Sequence, residues 1–239
     1  MDRVYNCHEP TGLAQRCAVG HPLIVAELSS NPAPWWHLDP FLDAAQKAGA
    51  DAVKIQLFDP NHFPLAERIS KRAAMLPRLK LEQFAKDARD RGLLAGASVF
   101  DKMDVVDASH LDFLKLATRE EHNLGLRLRA WLTGLPIFRS VDWRHVTRKP
   151  IHLPREFTLG CVPEYPSLNT APLNLAEKLP KPYGWSSHCA SIRVCVAAAR
   201  EGASVIEAHL CTSRRQPEGK WSLSPRQFAM MVAEIRWVT

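Results

Sequence analysis

A compact (β/α)8 TIM barrel, of class α/β, is the fold this sequence predicts, and three observations predict it. Apolar runs of strand length alternate with helical periodicity, giving eight strands and about seven helices in 239 residues, near the smallest size for that fold. Four junctions share one grammar: AGADAV from Ala48, RGLLAG from Arg91, TGLPIF from Thr133 and EGASVI from Glu201. In each, a helix-stopping glycine is followed within a few residues by a strand. Nearly every strand also ends in polar residues, and barrels of this kind keep their sites at those ends. A doubly wound open sheet is the competing fold. It would place a Gly-rich phosphate loop after its first strand, and SSNPAPWW from Ser29 is not one.

Residues 1–22 read as an irregular cap on the domain 23–239. Cys7, His8, Cys17 and His21 match no common zinc spacing. The first strand is Leu23–Leu28, and a helix over Leu38–Ala48 opens on Asp39-Pro40. Ala52–Phe58 is the second strand, with Lys54 and Gln56 on one face. Asp59–Leu79 is a long, Pro-marked loop with a basic, potentially helical middle. A helix over Leu81–Arg91 leads to a strand over Leu94–Phe100, and a short helix over Lys102–Ala108 to one over Phe113–Ala117. His122–Leu132 is helical and Pro136–Val141 is the fifth strand. Asp142–Arg155 lacks a helical stripe, so the helix after the fifth strand is short or missing. Phe157–Val162 is the sixth strand, followed by a short helix over Leu173–Leu179. Tyr183–His188 and Ser204–Leu210 are strands around an Ala/Val-rich helix over Ser191–Arg200. Pro225–Trp237 closes the chain as a helix with Ser224 as its N-cap.

Composition narrows the function classes. Lys+Arg number 31 against 25 Asp+Glu, and the basic residues are scattered. That mild excess suits an anionic substrate but not a nucleic-acid stripe. No run reaches the length of a membrane span, and the start lacks the apolar core of a secretory signal. The six cysteines sit mostly in apolar elements, so a reducing, cytoplasmic setting is expected.

Two features at the strand ends carry chemistry. Lys54 and Lys115 lie inside apolar strands; burying an unpaired ammonium is costly, so an anion between them or neighbouring carboxylates must compensate. His188 and His209 close consecutive strands. With strands about 4.8 Å apart, both imidazoles can reach one metal ion. Alternation sets Ser186 on the face of His188 and Glu207 on that of His209.

Seven segments, in order, resemble the N-acetylneuraminate (sialic acid) synthase family. VAELSSN from Val25 resembles its AEIG-x-N, AGADAVKIQLF from Ala48 its AGADAVKFQTF, and KLATREEHN from Lys115 its K-I-x-S-x-E-x-x-N. PIFRS from Pro136 is similar to P-V-I-L-S, and LGCVPEYP from Leu159 to LHCTS-x-YP. GWSSH from Gly184 and GASVIEAHL from Gly202 are similar to G-x-S-D-H and GA-x-x-IE-x-HFT.

The resemblance implies a barrel enzyme, a transferase that condenses phosphoenolpyruvate with an aldehyde or sugar acceptor and releases phosphate, and it allows a homodimer. Lys54, Lys115, Thr118, Ser140 and Ser186 would hold phosphoenolpyruvate. Gln56 and Tyr165 would face the substrates, His188 and His209 would bind Mn2+ or Mg2+, Glu27 would face the acceptor or the metal, and Glu120 would handle protons. Departures fall on the sugar half. Ser187 replaces an Asp, Pro163 an Asn or Ser, and Pro32 a His. Lys220 aligns with the Asp that grips the sugar, and with Arg214 and Arg215 suggests a smaller or more anionic acceptor. The family's C-terminal antifreeze-like domain has no counterpart after the barrel. Two other functions compete: a catalytically degenerate barrel serving as an anion-binding or protein-interaction module, and a metal-dependent aldolase or lyase, in which Lys54 could form a Schiff base.

Overall fold

The computed structural model describes residues 20–32, 38–62, 65–74, 76–168, 172 and 174–239. The expected cap and Cys7, His8 and Cys17 therefore lie outside the described residues. His21 is described, and its Nδ1 lies 2.9 Å from the hydroxyl of Thr239. Eight parallel strands close into one barrel in sequence order. They are β1 (Leu23–Glu27), β2 (Ala52–Gln56), β3 (Leu94–Val99), β4 (Phe113–Leu116), β5 (Ile137–Asp142), β6 (Glu156–Cys161), β7 (Tyr183–Ser187) and β8 (Val205–His209). Most end a residue or two before the sequence reading had them, because the chain bends outward into the loops at the mouth. His188, expected in a strand, is thus the first residue past β7.

The helices are α1 (Asp39–Lys47), α2 (Leu65–Ala74), α3 (Leu81–Asp90), α4 (Lys102–Asp107), α5 (Leu124–Trp131), α6 (Leu175–Lys178), α7 (Ile192–Arg200) and α8 (Pro225–Val238). The long loop after β2 thus contains a helix, α2, as its basic middle allowed. Ser224 caps α8 through the backbone N–H of Gln227, whose side chain reaches back to the Ser224 N–H. Two of the helix-stopping glycines, Gly49 and Gly202, sit at φ 81° and 82°, where a side chain would strain the turn into the next strand.

The barrel interior changes character along its axis. Its lower part is apolar: Leu23, Val25, Phe113, Phe138, Leu159 and Val205 form one buried cluster. Phe113 and Phe138 lie 4.7 Å apart, and a Cβ on Gly96 would come within 2.2 Å of the Phe113 ring, so the ring fills the place of a β3 side chain. The upper part is polar and forms the site. A second, larger apolar layer lies between strands and helices, with Ile55, Phe84, Trp185 and Phe228 among its members.

The helix expected to be short or missing after β5 is replaced by a single turn, Trp143–His145, and irregular chain. Two devices hold this segment. Trp143 packs edge-on to Trp185, 5.9 Å away, and Gly160 leaves room for both indoles on the outer face of β6. Beneath it, Arg127 of α5 donates to both oxygens of buried Glu156, at 2.7 and 2.6 Å, and to the carbonyl of Ile151 at 2.7 Å. Burial alone would raise the Glu156 carboxyl; Arg127 and the Leu153 N–H outweigh it and hold the group below its usual value. Among the described residues, no helix is long and apolar enough to cross a membrane.

Removing one partner of a buried ion pair strands the other, at about 3–5 kcal/mol. Glu156→Gln is therefore expected to lower the unfolding free energy by about 3 kcal/mol, read from guanidinium denaturation. A loss below about 1 kcal/mol would mean the loop does not depend on this pair.

Candidate active site

The strand ends gather a closed ion-pair network beneath the mouth. In the register, Glu27 of β1 lies opposite Lys54 of β2 on one side and His209 of β8 on the other. Lys54 bonds the Glu27 carboxylate and donates to Ser98 Oγ at 2.6 Å, and its Nζ lies 3.8 Å from Glu207. Lys115 pairs with Glu207 and donates to Ser186 Oγ at 3.0 Å; Ser186 in turn donates to Glu207 at 2.8 Å. All six side chains are buried, so each ammonium is offset by a carboxylate and a hydroxyl, as burial demands. Burial pulls Lys54 from the ordinary 10.5 down to about 7; Glu207 resists this and the charge of Lys115 adds to it. At Glu207, burial raises the carboxyl, but the two lysines and their hydrogen bonds prevail and hold it well below the carboxylate range.

The second half of the site is built on imidazoles. His188 Nδ1 lies 2.7 Å from the carbonyl oxygen of Val162. A carbonyl can only accept, so Nδ1 carries the proton and Nε2 presents a lone pair. Burial, followed by His209 and Lys115, lowers His188 to about 3, which keeps it neutral. Tyr165 is raised above its ordinary value, chiefly by burial, so its phenol stays protonated and donates to Nε2 across 3.1 Å. His209 donates from Nδ1 to Glu218 at 2.7 Å. Glu218 also accepts from the hydroxyls of Ser30, at 2.9 Å, and Ser29. Burial opposes its ionisation, but His209 and the two serines bring it to about 2. Ser29 itself is held at φ 47°, a left-handed backbone for a non-glycine, by its N–H to Glu27 at 2.7 Å. The two imidazole rings lie 5.5 Å apart.

These halves face one cavity of about 440 Å3. Of the residues expected from sequence, Lys54, Gln56, Lys115, Thr118, Ser140, Tyr165, His188 and His209 line it. Ser140 Oγ is buried without a hydrogen-bond partner. Glu27 and Ser186 lie beneath the lining and hold the lysines. Glu120, in the turn Thr118–Glu120, accepts from Asn123 at 2.9 Å and Arg119 at 3.2 Å and is not part of the lining. The aligned position Lys220 is exposed; two residues earlier, Glu218 turns inward and supplies a carboxylate to the lining. Arg214 does not serve the cavity either: it braces the loop through the carbonyls of Gly219 and Ser222, and Arg215 is exposed.

Glu207 was legible from its alternation with His209, whereas Glu218, Arg119 and Trp221 come from loops that no periodicity marks. A divalent ion fits the donor chemistry, since both histidines engage Nδ1, with the Val162 carbonyl and the Glu218 carboxylate, and direct Nε2 to coordination. Among the described residues, no group of three or more His, Cys, Asp or Glu side chains forms a ligand cluster, so His188 and His209 would leave most coordination positions to water or substrate.

Residues 41–239 match the NeuB family. A pseudaminic acid synthase of Campylobacter jejuni is 27% identical, over 89% of this chain and 72% of that protein. The crystal structure of an N-acetylneuraminic acid (sialic acid) synthetase from Leptospira borgpetersenii, in complex with citrate, superposes with TM-score 0.78 at 21% identity, over 92% of this chain and 84% of that one. A DAHP synthase of Thermotoga maritima shares the fold at TM-score 0.69 and 15% identity, over 92% and 69% of the two chains.

The depressed Lys54 gives a signed pH dependence. An anion favours the charged lysine, which is lost above about 7. Sulfate, whose charge is constant above pH 4, should therefore bind more weakly by up to about tenfold per pH unit above 7, measured by calorimetry; Lys54→Gln should flatten the profile. Because the folded value lies below the unfolded one, folding also gains stability as pH rises between about 7 and 10.5. A sulfate affinity flat from pH 6 to pH 9 would contradict the assignment.

Proposed function

Because this chain belongs to the NeuB family, we propose that it is a phosphoenolpyruvate-dependent condensing synthase of the sialic or pseudaminic acid synthase kind. It would act as a transferase on phosphoenolpyruvate and an aldehyde or sugar acceptor. The observation that carries the reading is the pair of buried lysines lining one cavity together with the imidazoles of His188 and His209.

Phosphoenolpyruvate brings about three negative charges, which ammonium and hydroxyl donors offset by charge-assisted hydrogen bonds. Lys54, Lys115, Thr118 and Ser140 are the groups for this, and the unpartnered Ser140 hydroxyl would be satisfied by a substrate oxygen. The acceptor would lie against Tyr165, Trp221 and the histidines. Carbon 3 of phosphoenolpyruvate attacks the aldehyde carbon and forms the new carbon–carbon bond. Water adds to the cationic carbon 2, and the carbon–oxygen bond to phosphate breaks, leaving a ketone. Glu207, held ionised between the lysines, is suited to stabilise positive charge at carbon 2. A divalent ion of the Mn2+ or Mg2+ class on His188 and His209 would polarise the acceptor aldehyde. Tyr165 would give up His188 Nε2 in that state. Glu218 keeps His209 in the Nδ1–H tautomer, and Glu27 keeps Lys54 in place. Glu120 would have to turn from Asn123 toward the cavity to handle a proton.

The aldolase reading gains from one observation: a lysine near 7 is partly a neutral amine, as a Schiff base requires. Lys54 is 1% exposed, however, and engaged by Glu27 and Ser98. Borohydride with pyruvate is expected to leave the protein mass unchanged; a covalent adduct on Lys54 would favour that reading.

With Mn2+ present, phosphate should be released from phosphoenolpyruvate only when an aldehyde sugar is supplied. Lys115→Met should lower kcat/KM for phosphoenolpyruvate by about 100-fold or more while circular dichroism stays native. A folded protein that releases no phosphate with any acceptor across a panel of N-acylated and unsubstituted aldoses would overturn the proposal in favour of a binding module.

A further inference from the structure

We infer that Arg119 binds the anionic end of phosphoenolpyruvate and supplies positive charge that the two buried lysines cannot. The inference rests on the phosphoenolpyruvate reading above and adds a substrate-binding residue to it. In the family pattern that KLATREEHN resembles, Arg119 falls on an unspecified position between the hydroxyl and the glutamate, so the resemblance assigns it no role.

Charge requires a further cation. Lys54 is matched by Glu27 and Lys115 by Glu207, so these four groups sum to zero before a ligand arrives. For a substrate with about three negative charges, a further cation adds to the hydrogen bonds those lysines donate. Among the described residues lining the cavity, Arg119 is the third lysine or arginine. It follows β4, which carries Lys115, and neighbours Thr118 in sequence, with Ser140 on the adjacent β5, whereas Tyr165, His188, His209 and Glu218 lie at or beyond the ends of β6, β7 and β8. Its charge also reaches Tyr165, which it lowers against the effect of burial, so the binding test must separate the anion from the acceptor.

Its geometry suits a phosphate or carboxylate. The guanidinium Cζ lies 4.2 Å over the centroid of the Phe100 ring, and stacking of that kind fixes its plane and reduces what is lost when both donors engage. Its pair with Glu120, from Nε at 3.2 Å, involves a side chain that is 46% exposed, and such a solvent-screened contact holds it weakly. Exchanging it for a two-pronged bond to phosphate favours the substrate. The same exchange would release Glu120 from Arg119.

The test uses the full chain with Mn2+ and compares Arg119→Gln, Arg119→Lys and Lys115→Met. Phosphoenolpyruvate binding is read by calorimetry and the two KM values by phosphate release. Arg119→Gln is expected to weaken phosphoenolpyruvate binding and raise its KM by about tenfold or more, with the acceptor KM unchanged within about twofold. Arg119→Lys should restore part of the affinity, and Arg119→Gln should bind with a shallower salt dependence. If the wild type binds phosphoenolpyruvate, Lys115→Met loses it and Arg119→Gln matches wild type, this inference alone is overturned. An effect of Arg119→Gln on the acceptor KM alone also overturns it, by assigning the residue to the acceptor. If the wild type itself does not bind phosphoenolpyruvate, the functional reading falls and this inference with it.

Discussion

Two ammonium groups buried in the mouth of a β-barrel set the terms for the residues around them. Neither could remain charged at that depth without a counter-charge, and the strand register brings the counter-charges: Glu27 lies beside Lys54, and Glu207 reaches both lysines. Ser98 and Ser186 each accept a further hydrogen bond from the lysines. The network is closed across β1, β2, β3, β4, β7 and β8, so its members hold one another in single positions, which is what a site needs if it is to meet a substrate without rearranging. Within this frame Lys54 titrates near 7, so the network carries a proton that a bound anion can retain.

The charges at the floor also shape the imidazole wall. Burial, His209 and Lys115 together keep His188 neutral, and the Val162 carbonyl dictates which nitrogen bears its proton. Glu218 does the equivalent for His209. One histidine is oriented by the backbone and the other by a carboxylate delivered from a loop. The loop carboxylate is anchored by Asn31, which accepts from the Glu218 N–H at 2.9 Å and donates to the Leu210 carbonyl at 2.9 Å. The turn after β1 and the loop after β8 are thereby tied together across the barrel's closing seam, and the left-handed Ser29 belongs to the same knot.

Much of this was legible from the residues. Alternating apolar runs and glycine stops gave the barrel, because both follow from local geometry that the sequence carries directly. Lys54, Lys115, His188 and His209 were legible because a polar group at the end of an apolar strand is an anomaly, and Glu207 followed from the two-residue period. Helix α2 was only half visible: prolines at positions 60, 64 and 77 framed its residues as a loop. Loop positions have no period to fix which residue turns inward: Lys220 is exposed, and two positions earlier Glu218 has His209 and the serines as partners. Arg119 carries no mark for a similar reason, since its place in the lining goes with its stacking over Phe100, a residue of a different strand end.

The barrel contains its own control for whether the polar network serves stability. A buried ion pair is rarely more stable than well-packed apolar side chains of the same volume. The lower interior of this barrel is filled with such side chains, Leu23, Val25, Phe113, Phe138, Leu159 and Val205, built on the same strands, in the same register, as the polar residues above them. The sequence therefore fills a closed barrel with aliphatic and aromatic groups wherever packing is the only demand. The switch comes within two residues along a strand: Val25 to Glu27, Phe113 to Lys115, Phe138 to Ser140, Val205 to Glu207. It happens on these strands at the same end and nowhere below, which packing does not explain. The charged ligand proposed for the mouth would explain it, and would give a partner to the Ser140 hydroxyl left without one at that level.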